Sequence, residues 1–119
     1  MKRDMDLIRT ILIEMERNES PNDQAEIHAD GYSDDQIVYH LKLLKEAGLI
    51  EAIDVSSFEG MAFIPRNLTW RGHEFLEAAR NEGVWQMVKD QLKDRGMSLP
   101  FSLIQDLAIK IAAEYMGLK

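Results

Sequence analysis

The chain has 119 residues, carries a formal net charge of -7 and contains no cysteine. This length suits one domain with one hydrophobic core, and the missing cysteines exclude disulfides, thiolate metal sites and a cysteine nucleophile. The acidic balance is unfavourable for nucleic-acid binding, because phosphate contacts need Lys and Arg, and residues 1–50 hold six basic against eleven acidic side chains. No uncharged stretch of about 18 residues could cross a membrane, and the N-terminus lacks an apolar secretory signal. We therefore expect a cytoplasmic protein that does not contact a membrane.

The first predicted element is an amphipathic helix over residues 4–17. Its apolar positions recur at helical spacing: Leu7, Ile8, Ile11, Leu12 and Met15. A turn-rich run then stops the helix before Pro21. Residues 24–32 are too short for a proper helix between two loops, so we predict a short edge strand around Ile27 and a turn at Gly31.

A second helix is predicted to begin at Ser33, whose side chain can cap it, and to stop at Gly48. Asp34 and Asp35 lie in its first turn, where the positive end of the helix dipole favours carboxylates. Its apolar stripe, expected in the core, consists of Ile37, Leu41 and Leu44.

Alternating apolar and polar residues over 49–55 predict a half-buried strand. A turn at 56–60 and an apolar run at 61–65 complete a β-hairpin. A third helix of about 12 residues should follow with Thr69 as its cap and Phe75, Leu76 and Ala79 facing inward.

Two further helices are predicted after a break at Gly83. The fourth covers Val84 to Leu92 and ends at Gly96; the fifth is capped by Ser98, has Pro100 in its first turn and extends to about residue 116. The fold class is therefore mostly α with a small β-hairpin (α+β), organised as residues 1–82 followed by a helical extension over 83–119.

The fifth helix is apolar nearly all round, with polar residues only at every fourth position. Such a helix needs burial on more than one side, which a second copy of the protein could supply. The alternative is that the fourth helix covers it within one chain. If a homodimer forms, the candidate interface residues are Trp85, Phe101, Ile104, Ile111 and Tyr115.

The order helix, short strand, helix, hairpin, helix resembles a winged helix-turn-helix domain. Residues 40–50, His-Leu-Lys-Leu-Leu-Lys-Glu-Ala-Gly-Leu-Ile, are similar to the recognition helix of small bacterial winged-helix repressors. Residues 68–72, Leu-Thr-Trp-Arg-Gly, are similar to the Leu-Thr-x-x-Gly that follows the wing in several such families. Through residues 1–9, 31–33 and 68–76 the chain also resembles a family of small uncharacterised proteins of bacteria, phages and prophages. The resemblance implies a winged-helix-like fold in a mobile-element setting and names no activity.

Two departures from that pattern bear on function. A working helix-turn-helix has a full positioning helix before the recognition helix, and the segment from Ser20 to Tyr32 is too short and broken to supply one. Val38 stands where repressors of this type usually place a small polar residue, and an apolar side chain reads a base edge poorly.

If double-stranded DNA is bound, the groove-facing candidates on the second helix are Gln36, Tyr39, His40 and Lys42. Arg66 is a candidate contact from the wing. The alternative for these side chains is a solvated surface with no ligand.

No pattern in the chain predicts catalysis, a metal site or a cofactor. His28, His40 and His73 are scattered, and no pair has the i, i+4 spacing of a helical zinc site. The sequence lacks a nucleophile elbow and a phosphate-binding glycine loop. We therefore expect a non-enzyme, either a DNA-binding transcriptional or accessory regulator or a protein-interaction module that has kept the scaffold without binding DNA.

Overall fold

Five helices and one antiparallel hairpin make up the computed structural model, which describes residues 1–94 and 99–117. The elements in chain order are α1 (Met5–Glu16), α2 (Asp34–Glu46), β1 (Ile50–Asp54), β2 (Phe63–Leu68), α3 (Trp70–Ala79), α4 (Glu82–Asp94) and α5 (Phe101–Tyr115). The predicted class, mostly α with a small β-hairpin, is confirmed. No described helix has both the length and the apolar character needed to span a membrane.

The chain divides into an N-terminal unit, Met1–His73, and a C-terminal unit, Glu74–Lys119. The division falls inside α3, nine residues before the boundary expected from the sequence. The second half of α3 supplies Phe75, whose ring lies 5.2 Å from Phe101 and 6.3 Å from Trp85. This aromatic cluster explains why residues 74–82 group with the helices that follow.

In the N-terminal unit, α1 and α2 form where the periodicity predicted them. Asp4 caps α1 by accepting the Leu7 amide at 3.0 Å, and the five predicted apolar residues of α1 are all buried. Leu41 and Leu44 of α2 are buried as predicted, whereas Ile37 is only half-buried.

The two ends of α2 are set by local hydrogen bonds. Ser33 and Gln36 form a capping box at its start. At its end, Gly48 has φ of 76° and donates to the Lys45 carbonyl, while the Leu49 amide donates to Leu44. These are the two bonds of a Schellman motif, and the positive φ favours glycine. Both predicted ends of α2 are confirmed.

The hairpin pairs β1 with β2 in antiparallel register, from Ile50 opposite Leu68 to Asp54 opposite Phe63. Between Glu51 and Ala52 the register shifts, because their partners Asn67 and Pro65 are not consecutive. Arg66 is therefore the extra residue of a β-bulge on β2.

The strand predicted around Ile27 is absent from residues 18–33, which contain turns and irregular chain only. Ala25 does donate its amide to the Pro65 carbonyl of β2 at 2.8 Å. Pro65 has no N–H to return, so a strand ladder cannot extend from that contact. The segment lies beside β2 without becoming part of the sheet.

Thr69 caps α3, as predicted, by accepting the Gly72 amide at 3.1 Å. Its hydroxyl also donates to the Gly48 carbonyl at 2.6 Å, and its amide donates to Leu49. The Cα of Gly72 lies so close to the Leu49 carbonyl that a Cβ there would overlap the oxygen. The end of α2 and the start of α3 thus meet through backbone, which requires glycine at position 72.

In the C-terminal unit, α4 packs on α5. Asn81 caps α4 by accepting the Val84 amide, so α4 begins at Glu82 and the predicted break at Gly83 lies inside its first turn. Pro100 is the residue before α5 and does not lie in its first turn. The predicted stop at Gly96 and cap at Ser98 lie outside the described residues.

Candidate functional site

The α2 residues that were predicted to face DNA differ in the contacts they make in the structure. Gln36 contacts the start of its own helix. Its side-chain oxygen accepts the backbone amide of Ser33 at 2.9 Å, and its backbone amide donates to the Ser33 hydroxyl at 3.1 Å. Breaking this capping box would cost helix stability. Gln36 therefore serves the start of α2, and a base contact would compete with that role.

His40 is buried, with 1% of its surface exposed, which corrects the prediction that it faces a DNA groove. Its Nε2 accepts the Asp4 amide at 2.8 Å, and its Nδ1 lies 2.7 Å from the Gln36 carbonyl. Because Nε2 accepts, Nδ1 must carry the hydrogen and donate. His40 thus joins α2 to the start of α1. The signal available in the sequence was its position on the apolar face, one residue before Leu41 and four before Leu44.

Tyr32 extends the same hydrogen-bond network. Its hydroxyl donates to the Asp4 carboxylate at 3.1 Å, while the other Asp4 oxygen caps α1. Burial and this hydrogen bond raise the pKa of Tyr32 above its ordinary value. The network is fully occupied by bonds within the chain, which indicates a structural role.

Tyr39 and Lys42 are partly accessible, as is Gln36, but unlike Gln36 they take no part in capping α2. Lys42 pairs with Glu46 at 2.8 Å and lies 6.0 Å from the centre of the Tyr39 ring. The hydrogen bond to Glu46 raises the pKa of Lys42. The cation that would meet a phosphate is thus already paired with a carboxylate on the same helix face.

Arg66, the predicted wing contact, binds the chain itself. Its Nη1 donates to the Asn22 carbonyl at 2.7 Å, and its Nε is buried with no hydrogen-bond partner among the described residues. Asn18 donates to the Arg66 carbonyl at 2.9 Å, and Asn67 donates to the Pro21 carbonyl at 3.1 Å. Arg66 and its neighbours therefore anchor the irregular loop that precedes α2.

A groove of about 350 Å³ lies where that loop passes α2 and β2. Its apolar lining includes Ile37 and Val38 of α2 and Phe63 of β2, and its rim is polar. Val38, noted in the sequence as unsuited to reading bases, lines this groove.

The hairpin tip is the feature that sequence reasoning missed. Phe58 is fully exposed (102%), and Ile53, Val55 and Met61 are exposed beside it in the hairpin. The tip is nevertheless tightly hydrogen-bonded: Ser57 and Gly60 exchange two backbone bonds of 3.0 Å, and the Ser56 hydroxyl bonds both polar backbone atoms of Ala62. An ordered turn therefore presents an aromatic side chain to solvent.

The charges of β1 and of the hairpin turn are all negative. Residues 47–65 contain neither Lys nor Arg, and their ionisable side chains are Glu51, Asp54 and Glu59, all exposed. Hydrogen bonds from Ser56 hold the pKa of Asp54 below its ordinary value. Without Lys or Arg, residues 47–65 cannot form charge-assisted bonds to phosphates.

The predicted oligomer-interface residues are mostly buried within one chain. Trp85, Ile104 and Ile111 are buried within one chain, which corrects their prediction as interface contacts, whereas Phe101 is half-buried and its prediction stays open. Tyr115 is 53% exposed. The physical reason is that α4 packs against α5 and covers much of its apolar surface. This arrangement is the alternative to a homodimer that the sequence left open.

Among residues 1–94 and 99–117, no group of three or more His, Cys, Asp or Glu side chains is placed to hold a metal ion. His28 lies 3.6 Å from Glu26 on the surface, and His73 is exposed on α3. The described part of the chain thus shows no cluster of metal ligands.

Comparison with known proteins identifies relatives but no activity. A family model described as a hypothetical protein family, DUF2513, matches residues 2–98. An uncharacterized protein of Haemophilus influenzae is 40% identical over 118 residues, which are 98% of this chain and 100% of that protein. No solved structure matches the chain significantly. Since the family model covers most of the sequence, the chain belongs to the DUF2513 family of hypothetical proteins.

Proposed function

We propose that this chain is a non-catalytic interaction module that uses the scaffold of a winged helix and binds another protein through its hairpin. In this proposal α1, α2, the hairpin and α3 correspond to a winged helix whose positioning helix has been replaced by the loop at 18–33. The mobile-element setting implied by the sequence resemblance belongs to the same proposal.

The observation that carries the proposal is the exposed Phe58 on an ordered turn. Burying an aromatic ring gives a large hydrophobic gain, and exposed apolar groups clustered on one element are typical of protein interaction sites. Aromatic residues also dominate the energetics of protein interfaces. The bonds of Ser56, Ser57 and Gly60 order the tip before binding, which lowers the entropy cost of association.

The polar groups of α2 and β2 support the same choice. His40, Gln36 and Arg66 make internal hydrogen bonds, so three of the five predicted DNA contacts would have to abandon structural roles. A DNA-binding regulator remains the second candidate, because Tyr39 and Lys42 lie on an accessible face of α2.

A homodimer is a separate proposal and now has fewer possible contacts. On α5 the exposed apolar residues include Leu103, Ile109, Tyr115 and Met116. Light scattering of the purified chain would report a mass of twice 13.7 kDa if these residues bring two copies together.

Site-specific photocrosslinking in cells of the organism that encodes the chain, called the host here, tests the proposed function. A photoreactive phenylalanine analogue would replace Phe58, Tyr39 or, as a control exposed on α4, Met87. We expect a discrete protein adduct from position 58 and none from the control. Nucleic-acid adducts from position 39, with no protein adduct from position 58, would reject the proposal in favour of the DNA-binding regulator.

A further inference from the structure

One face of the hairpin carries apolar side chains that the described residues leave exposed or half-buried. Strand alternation places Glu51, Ile53 and Val55 on the same side of β1, and the register sets Ile64 directly opposite Ile53. The other side carries Ile50 and its partner Leu68, both buried. The face bearing Ile53 is therefore the outer face, on which Ile53 and Val55 are exposed and Ile64 is half-buried.

This outer face continues into the tip. Val55 and Ala62 are joined by a backbone hydrogen bond of 2.9 Å, and Met61 and Phe58 follow in the turn. The exposed apolar groups thus extend from the middle of β1 to the end of the hairpin.

The charges around these apolar groups determine which occupant suits them. Glu51 lies on the outer face, Glu59 lies in the turn, and Asp54 lies on the opposite face of β1. Two cations that contact the hairpin strands have partners of their own: Lys45 lies 5.9 Å from the Phe63 ring, opposite Asp54, and Arg66 binds Asn22. A second copy docked by the same face would bring equal carboxylates together, which is unfavourable. An anionic lipid surface would be repelled for the same reason.

We infer that the occupant of this face is a basic protein surface, in which Lys or Arg side chains surround an apolar pocket that receives Phe58. The aromatic ring supplies the buried centre of the interface, and Glu51 and Glu59 supply the charged rim that orients the partner. This inference rests on the proposed function and names the chemical class of its partner.

The test measures the adduct formed by the photoreactive analogue at position 58 in fresh host lysate, with the full chain. Salt is raised from about 0.1 M to about 1 M, which shortens the Debye length from about 10 Å to about 3 Å. A second sample carries Glu51→Gln and Glu59→Gln together, and its matched control carries Glu77→Gln on α3. Mass spectrometry then locates the partner peptide that is joined to position 58.

We expect high salt and the double substitution each to lower the adduct yield about three- to tenfold, with the control unchanged. The joined peptide should lie beside Lys or Arg residues. An adduct whose yield is changed neither by salt nor by the double substitution would overturn the basic-partner inference and leave the proposed function standing. An adduct of twice the chain mass would identify a second copy, and an adduct with lipid would identify a membrane surface; either would overturn the inference. No adduct at all would overturn both.

Discussion

α2 and the hairpin use their side chains in opposite ways. On α2, polar groups that could reach a ligand bond to the chain itself: Gln36 to the cap and His40 to Asp4. On the hairpin, apolar groups that could fill a core, above all Phe58, are exposed to solvent. A protein that contacted DNA through α2 and packed its hairpin against its own core would show the reverse. The polar side chains of α2 thus stabilise the fold, whereas the hairpin exposes apolar side chains of the kind found at binding surfaces.

The largest expected effect that tests this comparison comes from His40→Ala. Removing the ring deletes buried volume and leaves the Asp4 amide and the Gln36 carbonyl without their partner. We expect the free energy of unfolding to fall by about 2–4 kcal/mol. Urea denaturation measures it, with Lys42→Ala, whose side chain forms a surface ion pair, as the nearly neutral control. If the two variants had the same free energy of unfolding, His40 would again be a candidate for an accessible DNA contact.

Asn18→Ala should have an intermediate effect. The side-chain amide of Asn18 donates to the carbonyls of both Asp23 and Arg66, and these bonds hold the irregular loop between α1 and α2. Their loss should cost about 1–2 kcal/mol and raise hydrogen exchange in residues 18–28. Asn22→Ala, a substitution of the same type on an exposed neighbour, serves as the control. Unchanged exchange would mean that the loop is held by other contacts.

Acid should weaken the hairpin turn through Asp54. Its carboxylate accepts the Ser56 amide at 2.9 Å, and this bond lowers the pKa in the folded chain. The stabilisation is therefore fully present above the ordinary pKa of about 3.9 and is lost as pH falls through the lower, folded value. An NMR titration of the Asp54 carboxyl measures the shift, and Asp54→Asn should remove this part of the acid sensitivity. A titration midpoint at or above the ordinary value would contradict the assignment.

The smallest effect on stability is expected from Phe58→Ala. Because the ring is fully exposed, the free energy of unfolding should change by less than about 0.5 kcal/mol. Trp70→Ala is a matched control, since Trp70 is an exposed aromatic next to the opposite end of the hairpin. Thermal unfolding measures both variants. A loss above about 1 kcal/mol for Phe58→Ala would show that the ring packs on the chain and would weaken the contrast with α2.

The elements of the fold could be predicted because their signals are local. The Ser33 cap, the Gly48 stop and the Thr69 cap each depend on hydrogen bonds to residues nearby in sequence or at the adjoining element boundary. The prediction of a strand around Ile27 was wrong, because pairing of this segment depended on Pro65 of β2. Pro65 lies forty positions from its partner Ala25 in sequence. No local pattern reports which donors a distant strand will offer.

The surfaces were harder to predict than the elements. His40 is a residue that sequence statistics allow in solvent or in the core, and only its neighbours on the apolar face hinted at burial. Phe58 is apolar and would be expected to fold back on the chain. It lies instead in the tight turn that Ser57 and Gly60 close, where it is fully exposed.

The anchoring of the loop before α2 has a consequence for the order of folding. Asn18, Asn22 and Pro21 bind residues of β2 that are 44 to 48 positions away in sequence. These bonds cannot form until the bulged strand is in place, since closing so long a loop is entropically costly and is repaid only by the completed contact. We therefore expect the loop to dock after the transition state, so that Asn18→Ala accelerates unfolding and leaves the refolding rate nearly unchanged.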